Sequence, residues 1–124
     1  MLKKLLFFIY LFTLILVSLL PPDNMPDVVF FLYADKLAHC CMYAGLTFLM
    51  LLAWPKQFTG KKIMLPLGVV ALCGFSLEIL QGLSGFGRTF DLWDQMANLA
   101  GFFPGWFTWL WVRRMMDSNG LANK

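Results

Sequence analysis

The sequence predicts an all-α, polytopic membrane protein: one domain over residues 1–124, a bundle of four transmembrane helices with the N- and C-termini cytoplasmic. Three observations lead there. First, 60% of the residues are hydrophobic and 14% charged, with a mean hydropathy of +0.70. A soluble core of this size cannot hide that much apolar side chain, so the matching solvent is a bilayer. Second, the apolar residues form four continuous runs, without the alternation that a transmembrane barrel requires. Third, most basic residues flank the runs on one side, which is the signature of a cytoplasmic face.

The first run covers about residues 5–20 and is ended by Pro21-Pro22. Its start, MLKK, resembles that of a secretory signal peptide. The following VSLLPPDNMP holds no A-x-A cleavage pattern and no lipobox cysteine, so a retained helix is expected. In PPDNMPDVVFFLYA, Asp27 is expected to cap a short helical turn, with the apolar residues after it lying in the headgroup layer. The second run spans about 35–54 and is ended by Pro55. The third spans about 63–83, with Pro66 in its first turn, where proline is tolerated. The fourth spans about 91–112, with Pro104 near its middle. Crossing the hydrocarbon core takes about 20 helical residues. The last three runs meet that length and the first is slightly short. The polar tail after Arg114 is expected to fray.

Charge sets the orientation. Lys3 and Lys4 precede run one; Lys56, Lys61 and Lys62 separate runs two and three; Arg113, Arg114 and Lys124 follow run four. On the opposite side stand only Lys36 and Arg88 among the bases, with Asp23, Asp27, Asp35, Glu78, Asp91 and Asp94. The bases mark topology and the aromatics between them face lipid, so nucleic acid is not an expected partner. Cys40, Cys41 and Cys73 have neither CxxC nor zinc-type spacing and read as apolar thiols.

Helical rise places the polar residues at a common depth. At 1.5 Å per residue, His39 lies about 6 Å below the start of its run, Asp94 about 5 Å and Asn98 about 10 Å below theirs, and Glu78 about 7.5 Å from the end of its own. Asp35, His39 and Tyr43 share a stripe at i, i+4, i+8; Glu78 and Gln81 share a face. Asp91, Asp94, Asn98 and Gly101 form another stripe, extended by Gly105 as a small-xxx-small pair. An ionised carboxylate facing lipid costs on the order of 2–4 kcal/mol, so these stripes should face one another.

Asp35-Lys36-x-x-His39-x-x-x-Tyr43, then Glu78-x-x-Gln81, then Arg88-x-x-Asp91-x-x-Asp94-x-x-x-Asn98-x-x-Gly101 resembles the VanZ-like family of bacterial membrane proteins. The resemblance covers residues 35–101 and implies a small multi-pass protein of the bacterial cytoplasmic (inner) membrane. The founding member is associated with low-level resistance to the glycopeptide teicoplanin, so the resemblance implies an envelope or antibiotic-response role. It assigns no reaction, ligand or cofactor.

Three functions suit the residues. An outward-facing pocket of Asp35, Lys36, His39, Tyr43, Glu78, Gln81, Arg88, Asp91, Asp94 and Asn98 can recognise an outer-leaflet amphiphile. Suitable classes are a phospholipid, a polyprenyl phosphate or a lipid-linked cell-wall precursor. Lys36 and Arg88 would form the anion-facing rim, with Tyr43 and Trp93 as interfacial surface. His39, Glu78 and Asp94 are alternatively candidate acid–base groups or ligands of a divalent cation. Finally, the pairs Arg88–Asp91, Asp35–Lys36 and Glu78–His39 can be structural, with Asp91 the N-cap of the last helix and the protein a partner in an envelope complex.

Overall fold

A computed structural model describes residues 1–20, 33–55, 58, 60–84 and 90–118. These form four α-helices: α1 (Leu2–Leu19), α2 (Ala34–Ala53), α3 (Met64–Leu83) and α4 (Leu92–Ser118). A 3-10 turn, Gly60–Ile63, leads into α3. The expected turn at Asp27, and Arg88, lie outside the described residues.

Helices α1, α2 and α3 are long and apolar enough to cross a membrane. Helix α4 falls outside that set, since it carries Asp94, Gln95 and Asn98 early and Arg113, Arg114 and Asp117 late. It also runs further than expected. Rather than fraying after Arg114, the chain stays helical to Ser118. Arg113 lies over the Trp109 ring at 5.3 Å and reaches Asp117 one turn on at 4.0 Å. The Ser118 hydroxyl donates to the Met115 carbonyl. Helix α1 starts earlier than expected, because the Met1 carbonyl accepts from the Lys4 and Leu5 amides.

Contacts between helices define their directions. Lys36 meets Asp94, His39 meets Asn98, and Gly101 lies against Cys40 and Ala44, so α2 and α4 run parallel. Asp91 meets Glu78 and Gln95 donates to the Ala71 carbonyl, so α3 runs antiparallel to both. In α1, Phe7 packs on Trp54, the Tyr10 hydroxyl donates to the Met42 carbonyl and the Ser18 carbonyl accepts from Gln81. Helix α1 is therefore antiparallel to α2.

The α2–α4 seam is the closest one. A Cβ on Gly101 would run into the Cys40 carbonyl oxygen, and one on Gly105 into that of Ala44. These two glycines let the backbones touch, as a small-xxx-small stripe predicts. The interior between helices holds Tyr43, Leu46 and Leu51 of α2, Val70 of α3 and Phe102 and Trp109 of α4. Thr47, also buried, bonds back to the Tyr43 carbonyl and so leaves no orphan hydroxyl. Large apolar side chains also cover the outside, among them Phe8, Phe12, Leu72, Phe103, Phe107 and Trp111. That surface fits hydrocarbon and exceeds what a soluble monomer exposes.

Gly101→Ala is expected to lower the thermal midpoint in detergent, with the backbone clash costing about 1–3 kcal/mol. Gly68→Ala, where an added Cβ meets nothing within 4 Å, should leave it unchanged or raise it, since alanine favours a helix over glycine by roughly 0.5–1 kcal/mol. Equal midpoints for the two variants would refute a backbone contact at Gly101.

Candidate functional site

The polar layer assembles where α2 and α4 begin and α3 ends. Asp91 stands just before α4. Its Oδ1 accepts the Trp93 amide at 2.8 Å, and its backbone carbonyl accepts the Gln95 amide. It is thus the N-cap of α4. Its Oδ2 accepts from Lys36 Nζ at 2.8 Å. Lys36 also donates to Asp35 Oδ2 at 2.9 Å and Asp94 Oδ1 at 2.5 Å. An ammonium has three N–H donors, and all three point at carboxylates. Lys36, expected either at an anion-facing rim or paired with Asp35, makes that pair and is also the counter-ion of Asp91 and Asp94. It faces α4 because the glycine seam sets that helix alongside α2.

One turn deeper, His39 Nδ1 lies 3.0 Å from Asn98 Oδ1. Its Nε2 lies 3.7 Å from Asp94 Oδ2. An amide oxygen only accepts, so Nδ1 is the nitrogen that carries the proton in the neutral ring. Nε2 then presents its lone pair toward Asp94. Glu78 approaches from α3 with 1% of its surface exposed. It accepts the Asp91 amide at 3.4 Å, near the outer limit of a hydrogen bond. One nitrogen or oxygen atom from each of His39, Glu78 and Asp94 lies within 4.8 Å of the others. Glu78 therefore faces a shared trio and is not closed into a simple pair with His39.

The structure brings Asp35, Lys36, His39, Glu78, Asp91, Asp94 and Asn98 together and sends two other candidates elsewhere. Gln81 turns to α1, where its amide donates to the Ser18 carbonyl at 2.7 Å. Tyr43 is 1% exposed, so it supplies no interfacial surface, whereas Trp93 is 68% exposed. The Tyr43 side chain is enclosed by the α2–α4 seam, and its hydroxyl lies near the Cys73 thiol of α3.

Two further residues hold the layer. Gly74 leaves room for Gln95 and Asn98, which would crowd any Cβ there. Its place in a Gly74, Glu78, Gln81 stripe at i, i+4, i+7 is the signal for it. Gln95 anchors α4 to the Ala71 carbonyl at 3.2 Å, and its own buried Oε1 has no partner among the described residues. Only its position one turn after Asp91 hints at a role.

Compared with family models, curated proteins and solved structures, the chain matches none.

The Lys36 ammonium, and then the Trp93 amide, hold the Asp91 carboxyl below the usual carboxylate range. A depressed folded-state value contributes stability above the unfolded value near 3.9, and that contribution is lost as pH falls through the folded one. Lys36→Met should therefore return Asp91 toward its ordinary titration, read by carbon-13 NMR of labelled aspartate. It should also lower the midpoint at neutral pH, because three carboxylates then face one another without a cation. An unmoved Asp91 titration would count against the ion pair.

Proposed function

We propose that this chain is a VanZ-like protein of the bacterial inner membrane that recognises an outer-leaflet or envelope amphiphile. In this reading all four helices span. Both termini are cytoplasmic, and the polar layer lies at headgroup depth on the outer side. The segregation of charge supports the orientation. Lys3, Lys4, Arg113 and Arg114 lie toward one end of the parallel and antiparallel helices, and Asp35, Glu78, Asp91 and Asp94 toward the other.

The observation that carries the proposal is an apolar groove in the same bundle as the polar layer. It has a volume of about 310 Å³ and lies between α1, α2 and α3. Phe7 and Leu11, Leu46 and Met50, and Val69 and Leu72 line it, with Cys73 and Ser76. Cys73 borders the groove and lies near Tyr43, one turn from His39 on α2. A chain in the groove and a headgroup at the layer match the two halves of an amphiphile. Phospholipids, polyprenyl phosphates and lipid-linked cell-wall precursors all have that form. The VanZ-like pattern supplies the envelope or glycopeptide-response context. A second reading, an outer-face enzyme or metal site, is favoured by the convergence of His39, Glu78 and Asp94.

The purified protein is expected to retain lipid detectable by mass spectrometry, and added envelope lipid should raise its midpoint. A ligand at 100 times its Kd stabilises by about 2.7 kcal/mol. Ser76→Phe, which fills the groove, should abolish the rise while the variant stays folded. A wild type without bound lipid, whose midpoint no envelope lipid moves, would rule the proposal out.

A further inference from the structure

We infer that His39 Nε2 and the carboxylates of Glu78 and Asp94 form a binding site for one divalent cation of the zinc–manganese class. The site deepens the reading above and rests on it for its role, because it supplies the positive charge that a phosphate headgroup needs. Among the described residues, four carboxylates, those of Asp35, Glu78, Asp91 and Asp94, share the layer with Lys36, which already has three partners. From these groups an anionic ligand meets net negative charge unless a cation sits there first.

The geometry of the trio points to that cation. With Nδ1 donating to Asn98 Oδ1 at 3.0 Å, the Nε2 of the neutral His39 ring carries a lone pair 3.7 Å from Asp94 Oδ2. Two acceptors facing each other repel unless a positive centre lies between them. Asp94 uses its other oxygen for Lys36, so Oδ2 is the one turned to the trio. Glu78 completes it from α3, almost wholly buried and, among the described residues, held by one long amide contact. A buried carboxylate so placed takes up a proton or a cation, and the latter needs further ligands close by.

The distances suit a metal. Ligands at about 2.0–2.2 Å around a tetrahedral zinc stand about 3.3–3.6 Å apart. The 3.7 Å between Nε2 and Oδ2 is close to this, and one ligand atom from each of the three residues lies within 4.8 Å of the others. One imidazole with two carboxylates favours zinc or manganese over an all-oxygen cation. The Asn98 oxygen on Nδ1 is the outer hydrogen bond that orients a metal-binding histidine. Three protein ligands leave a fourth position, where a headgroup phosphate oxygen fits.

The test uses the full chain in detergent, stripped with EDTA and freed of chelator. Zn²⁺ and Mn²⁺ are titrated by calorimetry, and Co²⁺ is followed by its visible absorption. One-to-one binding is expected, with a Co²⁺ spectrum that includes nitrogen ligation. Glu78→Gln and His39→Ala should each weaken binding at least tenfold, Asn98→Ala by about 10–100-fold, and Asp117→Asn, exposed near the far end of α4, not at all. Metal-free midpoints show whether each variant is folded. No binding by the folded wild type, or full binding by folded Glu78→Gln, overturns the site. So does a His39 ring that NMR finds protonated on both nitrogens at pH 7 with metal present, since a proton then does the cation's work. The two readings separate when phosphatidylglycerol is added to metal-loaded and metal-free protein. Metal binding without lipid stabilisation keeps the site and drops the amphiphile. Lipid stabilisation of a protein that binds no metal does the reverse.

Discussion

The close approach of α2 and α4 at Gly101 and Gly105 is the constraint on which the polar layer depends. Where the Cys40 and Ala44 carbonyls occupy the space of a missing Cβ, the two backbones are locked in parallel and in register. That register sets Lys36 opposite Asp91 and Asp94, and His39 opposite Asn98. A shift of one residue on either helix rotates these side chains about 100° apart. The glycines sit one to three turns below the polar groups, so packing in the apolar part of the bundle decides geometry at its polar end.

The layer itself has two parts with different physical characters. Around Lys36 the accounting is complete: three N–H donors meet three carboxylates, and the cap of α4 is one of them. This part joins α2 to α4 and needs no ligand. Interhelical polar contacts of this kind in membranes average about 0.6 kcal/mol, so they refine a packing that the glycines and aromatics already hold. Around His39 the accounting is open. Among the described residues, His39 Nε2, the second oxygen of Asp94 and the buried Glu78 converge, with one long amide contact to Glu78. Functional groups in membranes collect where such charge is left uncompensated.

The groove adds an apolar counterpart. Helix α1 contributes Phe7 and Leu11 to one wall and is tied to α3 by the Gln81–Ser18 bond near the other end. Gln81 is therefore more valuable as a strut than as a ligand-facing group. Cys73 lines the groove and lies near the Tyr43 side chain, which is on the same helix as His39.

Four helices, nearly their bounds, the glycine seam and the depth of His39, Glu78, Asp94 and Asn98 were legible in the sequence. All follow from one-dimensional quantities: run length, 3.6-residue periodicity and 1.5 Å rise. The cap at Asp91 was legible for the same reason, being a local contact two residues long. The helical extension to Ser118 was missed because its support comes from ring and ion contacts that a hydropathy run does not register. What tertiary structure alone decided was partnership. Lys36 was equally free, by sequence, to face a ligand, and only the approach of α4 made it the counter-ion of three aspartates. Gln81 lies on the Glu78 face of an ideal helix, yet α1 captures it. Periodicity assigns a residue to a stripe, but the neighbour that the stripe meets is set by how four helices share one limited interior.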